Sequence, residues 1–352
     1  MRPRILSVVL LFGLSVTCFG QTAYHVKLFG GEEPAAGYGQ AGDGRYVGGH
    51  TDVGYSQRVN ARLWDVQTGQ VRDLNPPGYE QAAIQAMAPD VQGGWRRFND
   101  NAHFHACLWR GTPDSVVELH PPGIDESYVL GVDDCLQVGD VEDADGEGIT
   151  GVVWLGTAAS ARFMTPQGYY LSICYAVSQG QIVGQTSSYT MADGATLWRS
   201  ANPEDYVILK TPDSYRYSYA TDIKGDFIVG SAVTVADPFS YFATVWWGPS
   251  HIFYNLHDAR YVYTSIAATN GRQHAGYSFA YNEEGSAILH AMVWTGLENH
   301  AVDLHDFLPP GVFRSSEAYD ILDNGSIVGT AYGRNYTDRT VAVMWTPLER
   351  KP

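Results

Sequence analysis

Asp133, Asp222 and Asp320 each sit where an aromatic or β-branched run gives way to a turn, in three copies of a repeated segment. Three carboxylates brought to one mouth would bind a cation or do acid and base work on a glycan. Aspartate at a strand end also accepts hydrogen bonds from turn amides, which is its structural use. A second acidic set, Glu142 to Glu147, clusters carboxylates around Gly146, so Asp143, Asp145 and Glu147 are the residues that could take a hard cation such as Ca2+. The alternating Asp-x-Asp-x-Asp-Gly pattern with a distal Glu is not met, and a solvated hairpin tip accounts for the run without a metal. His103 and His105 alternate as metal ligands can, but no third ligand accompanies them. Gly-x-Ser-x-Gly is absent and no Cys/His pair has a catalytic context, so no catalytic constellation is present and no cofactor is expected. Aromatic clusters are the other candidate: Trp95-Arg96-Arg97-Phe98 and Phe239-Ser240-Tyr241-Phe242 fall between a glycine step and a tryptophan run, and read as loop residues. Surface aromatics with arginine serve carbohydrate or protein recognition, so Trp95, Arg96, Arg97, Phe239 and Tyr241 are the candidate ligand contacts; covering a sheet edge is the alternative use.

The elements that must position these residues follow from a seven-fold repeat. A hydrophobic-Gly step recurs at Gly48, Gly93, Gly139, Gly184, Gly230, Gly276 and Gly329, and each precedes a tryptophan: Trp64, Trp109, Trp154, Trp198, Trp246, Trp294 and Trp345. Most units carry alanine three places before the tryptophan, then a short run ending near leucine and a Pro/Gly turn, as in Val117 to Gly123. Short β-branched and aromatic runs punctuated by Gly, Pro, Asn and Asp are strands with turns. Four strands in a unit of this period define a propeller blade, and the periodic tryptophans are expected to plug the spaces between blades. After Trp345 the chain stops before a fourth strand, and Tyr24 to Phe29 supplies an isolated copy of that strand. The expected fold is therefore all-β, a seven-bladed β-propeller with the N-terminal strand closing the last blade, which removes the sheet edges an open array would expose.

Arg2 and Arg4, an apolar run to Val16 and Cys18-Phe19-Gly20 have the form of a secretory signal peptide over residues 1–20, leaving 21–352 as one propeller domain. Acylation of Cys18 is the rival reading, but Thr17 is a poor residue to precede it. No later run approaches a transmembrane helix. Removing Arg2 and Arg4 takes the net charge from −16 to −18, which argues against nucleic acid or an anionic membrane as partner. Cys107, Cys135 and Cys174 form neither a disulfide framework nor a zinc knuckle.

His105-Ala106-Cys107-Leu108-Trp109 and His290-Ala291-Met292-Val293-Trp294, with Asp73-Leu74 and Asp303-Leu304 downstream, resemble the extracellular HAF-repeat family. The resemblance spans Tyr24 to Pro347 and implies a secreted β-rich repeat protein, with no catalytic residues to carry over. The expected function is a secreted, non-catalytic, monomeric module that binds an extracellular protein or polysaccharide at one face. An extracellular glycan hydrolase or lyase using the channel carboxylates and a structural surface or matrix component are the alternatives, since propellers host all three.

Overall fold

The computed structural model describes residues 23–30, 36–52, 59–76, 78–98, 103–143, 148–190, 194–237, 239–282, 285–334 and 340–348. They form seven four-stranded antiparallel sheets, each read in chain order from its first to its fourth strand, except the last. There the strand Tyr24–Phe29 pairs with Val341–Pro347, Tyr24 opposite Pro347 and Phe29 opposite Ala342. First strands of consecutive blades are neighbours all round, and Phe313–Ile321 of blade seven meets Ala36–Gly42 of blade one. The first strand is thus the innermost, and the ring is closed.

Blade-to-blade packing explains the periodic tryptophans. All seven are 0% exposed, and each joins an apolar cluster containing residues of the preceding blade, as Trp109 does with Leu63 and Leu74 of blade one. Where its indole finds a polar partner, it is a carbonyl from the far side of that interface: Trp294 Nε1 donates to Leu256 O at 3.1 Å and Trp345 Nε1 to Leu304 O at 2.9 Å. Truncating such a residue to alanine costs about 3–5 kcal/mol.

The glycine step has a different cause. Every first strand carries a β-bulge at one position, with Gln40, Gln85, Leu130, Tyr175, Thr221, Ala267 and Tyr319 as the extra residues. The bulge turns the carbonyl two residues earlier onto the second strand, where a Cβ would overlap it; the residues facing these carbonyls are Gly49, Gly94, Gly139, Gly184, Gly230, Gly276 and Gly329. None of the seven has a positive φ, so space and not backbone conformation demands glycine. The structure thereby corrects the sequence reading in the first two blades: Gly49 and Gly94, not Gly48 and Gly93, are equivalent to the other five.

A polar clasp accompanies the packing. Ser127, Ser172, Ser218, Thr264 and Ser316, each three residues before its bulge, accept the amide of the residue three before the preceding blade's tryptophan, at 2.8–3.1 Å. The histidines of the His-Ala motif belong to this layer. His105 lies 3.1 Å from Glu118 and stacks on His120 at 3.7 Å. His290 lies 2.7 Å from Asp303 and stacks on His305 at 4.2 Å. Burial first, then neighbouring positive groups, lowers His105 to about 4 and His305 likewise, so both act as neutral hydrogen-bonding groups.

Candidate functional site: an acidic, aromatic mouth on blades two to four

Above the glycine ring each blade presents one cross-strand pair toward the channel end bearing the hairpins between second and third strands. The pairs are Tyr38 with His50, Ala83 with Trp95, Tyr128 with Asp140, Ile173 with Gln185, Tyr219 with Ser231, Ser265 with Tyr277 and Glu317 with Thr330. The positions on either side of them are small or apolar in almost every blade because packing dictates them. The pairs themselves differ chemically from blade to blade, so packing does not set their identity.

Blade three concentrates carboxylates there. Its first strand, Glu126–Val132, and second, Gln137–Glu142, place Glu126 opposite Glu142 and Tyr128 opposite Asp140, all on one face by the two-residue alternation of strands. Ser127, on the other face, bonds blade two; the face with Asp140 looks toward Cys174 and Tyr175 of blade four. Asp140 is 8% exposed and neither its carboxylate nor that of Glu142 has a hydrogen bond or ion pair among the described residues. Glu126 accepts the Tyr128 hydroxyl at 2.6 Å and stands 4.0 Å from His103. Burial, reinforced by Glu142 and Glu126, pushes the Asp140 carboxyl up to about 7, and burial with Glu126 raises Glu142. A row of rings leads in from blade two: Trp95 meets Phe104 edge-on at 4.7 Å, and Phe104 lies 5.6 Å from Tyr128.

A second arc of tyrosines continues the wall. Tyr175, Tyr219, Tyr241 and Tyr263 follow one another at 6.2–6.4 Å, and Tyr263 stacks on Phe279 at 4.5 Å. In blade seven Glu317 accepts from Tyr319 at 2.7 Å and from Tyr332, and Tyr38 of blade one stacks on His50 at 4.7 Å. Desolvation lowers His50 to about 4.

The residues singled out from sequence fall in several places. Trp95, Arg96 and Arg97 lie within the strand Val91–Phe98 and not in a loop. Trp95 joins the mouth, whereas Arg96 is 6% exposed and paired with Glu118, and Arg97 lies over the Phe104 ring at 5.7 Å. Phe239 is a loop residue, 81% exposed, while Tyr241 opens the strand Tyr241–Trp247 and belongs to the tyrosine arc. Asp133 is not equivalent to Asp222 and Asp320: it accepts the amides of Cys135 and Leu136 at 2.9 and 2.7 Å in the turn after its strand. Asp222 and Asp320 follow their bulges directly and clasp the next blade. Asp222 accepts from Thr269 N at 2.7 Å and Ile223 N at 2.8 Å; Asp320 accepts from Gly42 N at 2.8 Å and Ile321 N at 2.7 Å. Both lie past the bulge, toward the end of the first strand opposite the mouth. Asp143 borders the mouth beside Glu142; Asp145 and Glu147 lie outside the described residues. Among the described residues no group of three His, Cys, Asp or Glu is placed to hold a metal ion. Cys107 and Cys174 are buried free thiols and Cys135 an exposed one.

Neither a family model nor a curated protein matches the sequence. Solved structures do match. The β-propeller domain of the Trilobed protease from Pyrococcus furiosus, described as having an open velcro topology, aligns with a TM-score of 0.59 at 12% identity, covering 90% of this chain and 97% of that one. An oligogalacturonate lyase from Vibrio parahaemolyticus aligns with a TM-score of 0.55 at 8% identity, covering 92% and 96%. The polysaccharide lyase Uly1 aligns with a TM-score of 0.52 at 11% identity, covering 95% and 94%. At such identities the likeness is one of fold. The chain is a β-propeller, here of seven blades, closed by its own N-terminal strand.

Proposed function

We propose that this chain is a secreted, non-catalytic propeller of the HAF-repeat kind that binds a polysaccharide at the mouth formed by blades two to four. The observation that carries this reading is the row Trp95, Phe104 and Tyr128 ending at Glu126, Asp140 and Glu142. Ring faces stack on the C–H faces of sugars, and carboxylates accept from sugar hydroxyls or amines. Oligogalacturonate is a polyanion, and three unpaired or weakly paired carboxylates repel it. The activity of the lyases that share the fold is therefore not carried over. The net charge of −16 points the same way.

A second reading rests on Asp140. A carboxyl held near 7 beside other carboxylates is suited to donate a proton, as a glycan hydrolase requires, with Glu142 or Glu126 as its ionised counterpart. This moves the enzyme alternative from Asp133, Asp222 and Asp320 to blade three.

Purified 21–352 protein applied to an array of neutral, anionic and amino glycans separates the readings. Binding without product release, lost in Tyr128→Ala, supports the module. Product release abolished by Asp140→Asn supports the hydrolase. Silence on every glycan contradicts both and directs the search to protein partners.

A further inference from the structure

The mouth is short of positive charge at the place where its negative charge is most enclosed. Asp140 is 8% exposed, faces Glu126 and Glu142, and accepts no hydrogen bond among the described residues. A desolvated carboxylate without a donor is costly, and a native protein that keeps one does so for a catalytic role, an ordered water or ion, or a ligand that completes it. The three acids share one face of a single strand pair, and among the described residues no three His, Cys, Asp or Glu are placed to hold a metal ion. With Asp140 buried and Glu126 and Glu142 half-buried on the same face, a compact cation suits the place better than a broad one. An ammonium group carries three N–H donors on one nitrogen, whereas a guanidinium presents a flat fork. The approach to the acids runs along Trp95, Phe104 and Tyr128, whose faces attract a cation as well as sugar C–H groups.

We infer that the cluster of Glu126, Tyr128, Asp140 and Glu142 on one strand-pair face holds the primary ammonium of an amino-sugar chain, with Asp140 the most buried of its three acids. This rests on the polysaccharide-binding reading and narrows it to glycans bearing free amines. The groups facing Asp140 are Glu126 and Tyr128 on the paired strand, Glu142 on its own strand, and Cys174 and Tyr175 from blade four. None of them brings a positive charge, so an arriving ammonium favours the ionised form of Asp140. Binding near neutral pH therefore releases a proton.

The test is calorimetry of the purified 21–352 protein with a glucosamine oligomer, its N-acetylated counterpart and a lysine pentamer, in two buffers of different ionisation enthalpy. The expected result is binding of the free-amine oligomer, weaker by about tenfold or more for the acetylated form and for Glu142→Gln. The apparent enthalpy should depend on the buffer in the native protein and lose that dependence in Asp140→Asn. The Glu142 variant keeps the test valid should the Asp140 variant fold poorly. Equal binding of both oligomers overturns the amine inference and leaves the polysaccharide reading standing. Binding of the lysine pentamer alone overturns the amino sugar in favour of a basic peptide. Binding of none of the three, together with an array silent on every glycan, overturns both.

Discussion

Asp222 and Asp140 are both aspartates near the channel whose carboxyls burial pushes up to about 7, yet they do opposite things for the fold. Asp222 receives two backbone amides, one from the next blade, and Asp320 repeats the arrangement where blade seven meets blade one. Asp140 receives none among the described residues and is surrounded by acids. The clasp carboxylates stabilise the ring because fixed donors were folded around them. The mouth carboxylate carries a desolvation cost that no hydrogen bond among the described residues offsets, as a residue kept for a ligand would.

The largest effect should come from the closing side. Deleting Tyr24 to Phe29 leaves the outer edge of the strand Val341–Pro347 without its partner and exposes a buried face, at a cost on the order of 5 kcal/mol or more, read as a lower and broader thermal melt. An unchanged melt would mean that the ring does not depend on this strand. Next, Asp222→Ala leaves the amides of Thr269 and Ile223 without an acceptor and should cost about 1–3 kcal/mol for each in denaturant melts. Gly139→Ala and Gly184→Ala should each cost about 1–3 kcal/mol, because a Cβ strikes the Tyr128 and Ile173 carbonyls respectively. Gly139→Ala should weaken glycan binding more than Gly184→Ala, since Tyr128 stands beside Glu126 and Asp140 whereas Ile173 carries no polar group. The smallest effect is expected at Phe239, 81% exposed in the loop before Tyr241: Phe239→Ser should move stability by less than about 0.5 kcal/mol and leave binding at the blade-three acids intact.

What could be read from sequence was whatever geometry imposes on every blade. Tryptophan recurs because each interface needs the same large plug, and glycine because each bulge aims a carbonyl at the same spot. The doublets Gly48-Gly49 and Gly93-Gly94 offer two glycines where the bulge carbonyl faces one, and only the strand pairing selects the second. Trp95 to Arg97 look like a loop because they are aromatic and charged, but the strand continues through them with side chains alternating between the mouth and Glu118. The mouth escaped local inspection because its partners are far apart in sequence: Glu126 meets Glu142, and Tyr128 meets Asp140, across a hairpin. A signal was nevertheless present. The residue after the periodic glycine reads His50, Trp95, Asp140, Gln185, Ser231, Tyr277 and Thr330, a position that ranges from acid to indole while its neighbours are nearly all small or apolar.

The most direct test compares Asp140→Asn with Asp222→Asn in thermal melts at pH 5 and pH 8. The Asp140 carboxyl moves from an ordinary 3.8 to about 7 on folding, so its contribution to stability is fully present below about pH 4 and is lost as pH rises through about 7. Asparagine removes that loss. Asp140→Asn should therefore melt higher than the native protein at pH 8 and gain less at pH 5. Asp222→Asn must turn an NH2 toward one of two amide donors and should melt lower at pH 8. A lower melting temperature for Asp140→Asn at pH 8, matching that of Asp222→Asn, would show that Asp140 is a structural clasp and contradict its assignment to a binding site.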